Sequence, residues 1–121
     1  MPRFLRLLSF AAVASLGIAG QAFAHAHLKS SVPADKAAVV APGELDLTFT
    51  EGLNLKFSGI TVLGPKKEEI KLGDGMLMDD GKTLMVPVSD KLAPGAYTVE
   101  WHVLSTDGHK TKGTYGFTVN P

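Results

Sequence analysis

Alternation of apolar and polar residues is the dominant pattern along most of the chain. Leu45, Leu47 and Phe49 alternate with Asp46, Thr48 and Thr50, the signature of a strand buried on one face. Ile60 and Val62 predict a second short strand ending at Gly64-Pro65, and residues 69–72 a weaker one before Gly73-Asp74-Gly75. Leu84, Val86 and Val88 alternate with Met85 and Pro87. Proline cannot donate to a ladder, so Pro87 predicts a strand edge or a strand end. Tyr97, Val99, Trp101 and Val103 form the longest apolar face, and Tyr115, Phe117 and Val119 form the last. Turn residues separate these runs at Ala41-Pro42-Gly43, Asp80-Gly81, Ala93-Pro94-Gly95 and Asp107-Gly108. With the segment after His25, about seven short strands are expected and no stretch has a helical period. Strands at this density predict an all-β, antiparallel sandwich of immunoglobulin-like type. No repeat or linker divides it, so a single domain is expected over residues 25–121.

The first 24 residues break the pattern. Met1 to Arg6 holds two arginines and no acid, and the run from Leu7 to Ile18 is apolar apart from Ser9, Ser15 and Gly17. Ala22-Phe23-Ala24 then places small residues where signal peptidase requires them. The apolar run is shorter than the ~20 residues that span a bilayer. A secretory signal cleaved after Ala24 is therefore expected, giving an exported chain that begins at His25. Arg3 and Arg6 leave with the leader, so ten basic residues face twelve acidic ones. That balance creates no field for nucleic acid or anionic lipid. The chain has no cysteine, which excludes disulfides, thiolate metal sites and a blue-copper centre. A domain of this size has one modest core, to which a bound metal could add stability.

The chemistry-bearing residues gather at the new terminus and at one loop. The chain has four histidines, His25, His27, His102 and His109, and two of them fall in the first three mature residues. A terminal histidine supplies an α-amine and an imidazole, which close a chelate ring on one ion. Nitrogen-rich tetragonal sites suit Cu(II). Taken alone, a terminal His is equally consistent with a solvated end. The second feature is Ser105-Thr106-Asp107-Gly108-His109 between the last two strands. Asp107 can supply a carboxylate oxygen or orient the His109 imidazole, although Asp-Gly is also an ordinary hairpin turn. In an immunoglobulin-like sandwich the start of the chain and this last loop share a pole. His25, Asp107 and His109 are then expected to converge on one Cu(II), with Glu51, at the end of the Leu45–Phe49 run, as an outer partner. His27 is expected to be a strand residue or an outer partner, and His102 to lie on the outer surface.

These pieces together resemble the periplasmic copper-resistance C (CopC) family. The matching segments are Ala24-His25-Ala26-His27-Leu28, Ser31-Val32-Pro33-Ala34, Leu47-Thr48-Phe49-Thr50-Glu51, Pro94-Gly95-Ala96-Tyr97, Trp101 with the Asp107-Gly108-His109 loop, and Gly113-Thr114-Tyr115-Gly116-Phe117. The resemblance implies a cupredoxin-like or immunoglobulin-like Greek-key barrel. It also implies one Cu(II) held by His25, Asp107 and His109, and a periplasmic role in copper homeostasis, resistance or delivery to a CopD-type importer in the inner membrane. A monomeric, non-enzymatic carrier is expected. One departure concerns Met76, Met78 and Met85, the mature chain's only methionines, which have no histidine nearby. Some members of the family hold Cu(I) in a methionine-rich loop; here the methionines are expected to pack or lie on the sheet surface, with no second copper site. Two other readings compete. One is a histidine-brace copper oxidoreductase; the inward-facing aromatics leave little surface for a glycan. The other is a metal-free interaction sandwich.

Overall fold

The computed structural model describes residues 26–121, and it is a sandwich of two four-stranded sheets. Eight strands are present among the described residues: β1 (Leu28–Val32), β2 (Ala38–Val39), β3 (Glu44–Phe49), β4 (Gly59–Leu63), β5 (Met76–Met78), β6 (Thr83–Pro87), β7 (Gly95–Leu104) and β8 (Lys110–Val119). The first sheet has the order β1-β3-β6-β5 and is antiparallel throughout. The second has the order β2-β8-β7-β4, with β2 and β8 the parallel pair. The one helical element among the described residues is a 3₁₀ turn, Leu55–Phe57. No described helix is long and apolar enough to cross a membrane.

The alternation read from the sequence becomes the two inner faces. Leu45, Leu47 and Phe49 of β3 meet Val99, Trp101 and Val103 of β7 and Tyr115 and Phe117 of β8 in one core. Phe49 and Trp101 join the sheets edge to face, with ring centroids 5.1 Å apart and planes at 71°. Within the second sheet the Tyr97 and Phe117 rings stack at 5.5 Å. Gly113 lies opposite Trp101 in the β7–β8 ladder, and a Cβ there would come within 2.5 Å of the indole. Only glycine fits against that ring.

Three expectations change. Residues 69–72 form no strand; they keep only bridges from Glu69 to Leu63 and from Leu72 to Val88, with Ile70 buried between. Pro87 is a strand end, as one alternative held, but β6 lies inside its sheet between β3 and β5. β5 arises where only methionines and turn residues were visible. Met76 and Met78 point outward at 49% and 36% exposure, with Met76 directly opposite Met85.

Candidate metal centre

Asp107 and His109 sit in the hairpin between β7 and β8. β7 turns alternate residues inward, and that parity continues past its end: Trp101, Val103 and Ser105 are all buried, Ser105 to 1% exposure. A buried serine needs hydrogen-bond partners, and the loop ahead supplies them. The Ser105 amide donates to the His109 carbonyl and the Gly108 amide to the Ser105 carbonyl, both at 2.9 Å. The His109 amide reaches Ser105 Oγ at 3.3 Å, and the hydroxyl donates to the Asp107 carboxylate. Gly108 has a φ of 93°, a region that side-chain-bearing residues avoid, and so it closes a three-residue loop.

This bonding brings Asp107 Oδ1 to 3.1 Å from His109 Nδ1. Both side chains stay about half-exposed, so a dissolved ion can reach them. The Ser105 hydroxyl, and after it His109, hold the Asp107 carboxyl below the usual carboxylate range, against a small opposing effect of burial. The group is therefore an anion at neutral pH. With Nδ1 donating to the carboxylate, Nε2 is the nitrogen suited to coordinate, the arrangement by which carboxylates commonly orient metal-binding imidazoles.

The first described residues reach the same pole. Ala26 is wholly buried and belongs to the core. Its carbonyl accepts a hydrogen bond from Thr111 Oγ1 at 2.8 Å, two residues beyond His109. The His27 amide donates to Thr50 Oγ1 at 2.9 Å, and the Thr50 amide donates back to the His27 carbonyl at 2.9 Å. Residues 26–27 are thus stitched between β8 and the end of β3. His25 and the cleavage position after Ala24 lie outside the described residues.

Glu51 and the His27 side chain are both exposed. The turn that carries Glu51 touches the loop through backbone, because the Thr106 amide donates to the Gly52 carbonyl at 2.9 Å. Among the described residues, no third His, Cys, Asp or Glu joins Asp107 and His109 in a group able to hold a metal. His102 is exposed on the outer face of β7, opposite Gly59 of β4 and Lys112 of β8. Two contributors were missed from the sequence, the Ser105 hydroxyl and Thr111. Strand parity could have found the first, since it counts Ser105 inward after Trp101 and Val103. Nothing local marks Thr111, because its partner is 85 residues away.

Comparison with known proteins gives a consistent result. The CopC domain family model matches residues 28–120. Over 99 residues the chain is 52% identical to protein YobA of Escherichia coli K12, covering 80% of each. It is 38% identical over 114 residues to copper resistance protein C of Escherichia coli, covering 86% of this chain and 88% of that one. A crystal structure of PcoC, a methionine-rich copper resistance protein from Escherichia coli, superposes with a TM-score of 0.72 at 36% identity. It covers 80% of this chain and 100% of its own.

Proposed function

Because this chain belongs to the CopC family, we propose that its mature form begins at His25 and binds one Cu(II) ion in the periplasm through His25, Asp107 and His109. One observation carries the reading: the buried Ala26 with its carbonyl on Thr111 Oγ1. Ala26 is one Cα step of about 3.8 Å from the residue that would supply the terminal ligand in this reading, and its own fastening is two residues from His109. Cleavage after Ala24 turns the His25 nitrogen from an amide into an amine. Amine and imidazole of His25, the imidazole of His109 and the carboxylate of Asp107 then make a three-nitrogen, one-oxygen set suited to Cu(II). Ser105 keeps the carboxylate ionised and aimed, and the carboxylate fixes the His109 tautomer. Glu51 and His27 are outer partners in this reading.

The chain carries copper as cargo, for homeostasis, resistance or transfer to a CopD-type importer, and catalyses no reaction. All the ligands come from one chain, so a monomer suffices. The named copper resistance relatives support the choice of metal, and the donor set supports the oxidation state. The test is a Cu(II) titration, followed by paramagnetic resonance, of the protein beginning at His25 and of the same protein with one methionine added before it. The added residue converts the amine back to an amide, and affinity should fall by more than about tenfold, a loss of over about 1.4 kcal/mol. Equal affinities would overturn the amine ligand.

A further inference from the structure

On the outer face of the second sheet, starting beside the Asp107–His109 loop, is an open groove of about 640 Å³ whose lining includes neither Asp107 nor His109. Lys56, Phe57, His102, Lys110, Thr111 and Lys112 line it. Its form follows from strand parity. β7 buries its odd-numbered residues and β8 buries Tyr115, Phe117 and Val119, so His102, Lys110 and Lys112 share the outer face. The register sets His102 against Lys112, and Leu104 against Lys110. On its other side His102 meets Gly59, where a Cβ would lie 3.3 Å from the imidazole. The missing side chain gives the ring room over β4 and keeps that part of the floor low.

The 3₁₀ turn Leu55–Phe57 makes the wall. Asn54 caps it by accepting from the Lys56 amide at 3.1 Å, and the Leu104 amide donates to Ser58 Oγ at 3.1 Å just beyond it. Held this way, Phe57 is 52% exposed, and Lys56 Nζ sits 5.8 Å from the centre of its ring. An exposed aromatic ring beside three lysines is a costly surface to leave uncovered, and it has the apolar centre and charged rim of a protein-binding site. Among the described residues no ion pair within 4.0 Å engages Lys56, Lys110 or Lys112. Glu100 borders the neighbouring depression, one outward position beyond His102. The groove is continuous with the copper loop, since Lys110 follows His109 and Thr111 holds Ala26.

We propose that this groove docks an acidic, extended segment, bearing one aromatic or leucine side chain, of the protein that exchanges copper with this one. The identity of that partner rests on the copper reading; the binding chemistry of the groove does not. Carboxylates of the segment meet Lys56, Lys110 and Lys112, its apolar side chain covers Phe57, and the chain so placed ends beside His109. Complementary charge speeds and orients such an encounter. A lipid surface is the poorer occupant. Three lysines fall short of the four to eight clustered basic residues typical of headgroup binding, and the mature chain has more acidic than basic residues.

The test uses the mature protein labelled with nitrogen-15 and a synthetic peptide of aspartates and glutamates flanking one phenylalanine. At low salt, amide shifts should concentrate at residues 56–59, 102 and 110–112. The double charge reversal Lys56→Glu with Lys112→Glu should weaken the peptide by at least about tenfold. Phe57→Ala, or glycine in place of the peptide's phenylalanine, should weaken it by about fivefold. Cu(II) affinity should change less than about twofold in these variants, since none of the changed residues is a proposed ligand. Shifts spread over the whole surface, or an equal loss from Lys71→Glu with Lys91→Glu, would overturn the proposal. So would groove-dependent binding to phosphatidylglycerol vesicles with no response to the peptide. Peptide binding in the groove of a protein that takes up no Cu(II) would leave the groove standing and remove the copper reading.

Discussion

Thr111→Val tests how the terminus is held, because it removes one hydroxyl and keeps the side-chain shape. Among the described residues the docked segment makes three hydrogen bonds, Thr111 Oγ1 to the Ala26 carbonyl and the pair between His27 and Thr50. At about 1 kcal/mol each, and with about 0.8 kcal/mol for the buried Ala26 methyl, docking gains roughly 4 kcal/mol. Ordering the backbone of two residues costs roughly 2–4 kcal/mol. The docked state is therefore favoured only slightly. Valine removes one bond and leaves a wholly buried carbonyl without its partner, a loss of about 1–3 kcal/mol. The terminus should then be mostly undocked in the metal-free protein, and apparent affinity falls with the fraction still competent. Cu(II) binding should weaken by about tenfold, with faster hydrogen exchange at the His27 amide and a nearly unchanged melting temperature. Thr111→Ser keeps the donor and should bind nearly as the parent does. If Thr111→Val bound Cu(II) as tightly as the parent, with His27 equally protected, this account of the terminus would be wrong.

Other substitutions probe the remaining parts. His109→Ala should cost more than about a hundredfold in Cu(II) affinity and alter the paramagnetic spectrum, whereas His27→Ala should cost less than about threefold; the reverse ranking would assign copper to the terminal tripeptide. Burial pushes the Tyr115 phenol up to about 12, and the nearby Ser31 hydroxyl, which could favour the phenolate, already donates to the Pro33 carbonyl at 2.9 Å. A phenol raised in this way contributes stability that is complete below the unfolded value near 10 and is lost as pH climbs through 12. The urea midpoint should accordingly drop between pH 9 and pH 11.5, and drop less in Tyr115→Phe. Gly113→Ala drives a methyl into the Trp101 ring and should destabilise the fold by about 1–3 kcal/mol, seen as a lower melting temperature; a midpoint equal to the parent's would show that the indole can move aside.

The long strands were legible because their inner faces repeat every second residue for many residues, as Tyr97–Val103 and Tyr115–Val119 do. Where pairing is short, sequence loses the signal. β5 has three residues and β2 has two, and each exists only because a neighbour in space completes it: β6 for the first, β8 for the second. The same logic misplaced residues 69–72, whose alternation is real but whose backbone finds only single bridges. At the site, the closeness of Asp107 and His109 could be read from their spacing. That the terminus lies alongside could be argued only from topology, and its fastening depends on Thr111, which is distant in sequence. The groove was invisible for the same reason. Lys56, His102 and Lys112 come from three separate segments and meet only after the strands pair.

The two halves of the proposed copper site differ in mechanical character. Asp107 and His109 stand at the tip of a hairpin whose strands are registered over ten residue pairs, so that half keeps its place whether or not an ion is bound. The other half hangs on Ala26 and His27, held by three hydrogen bonds at the start of the fold. An ion held between them would depart by unzipping of the terminus, not by opening of the hairpin. Residence time would then depend on the fastening as well as on the ligands. A receiver that captures the amine and imidazole of His25 during a brief opening would draw the metal off while the hairpin still grips it. Substitutions at Ala26 or Thr111 would tune the exchange rate and leave the spectrum of the bound ion unchanged.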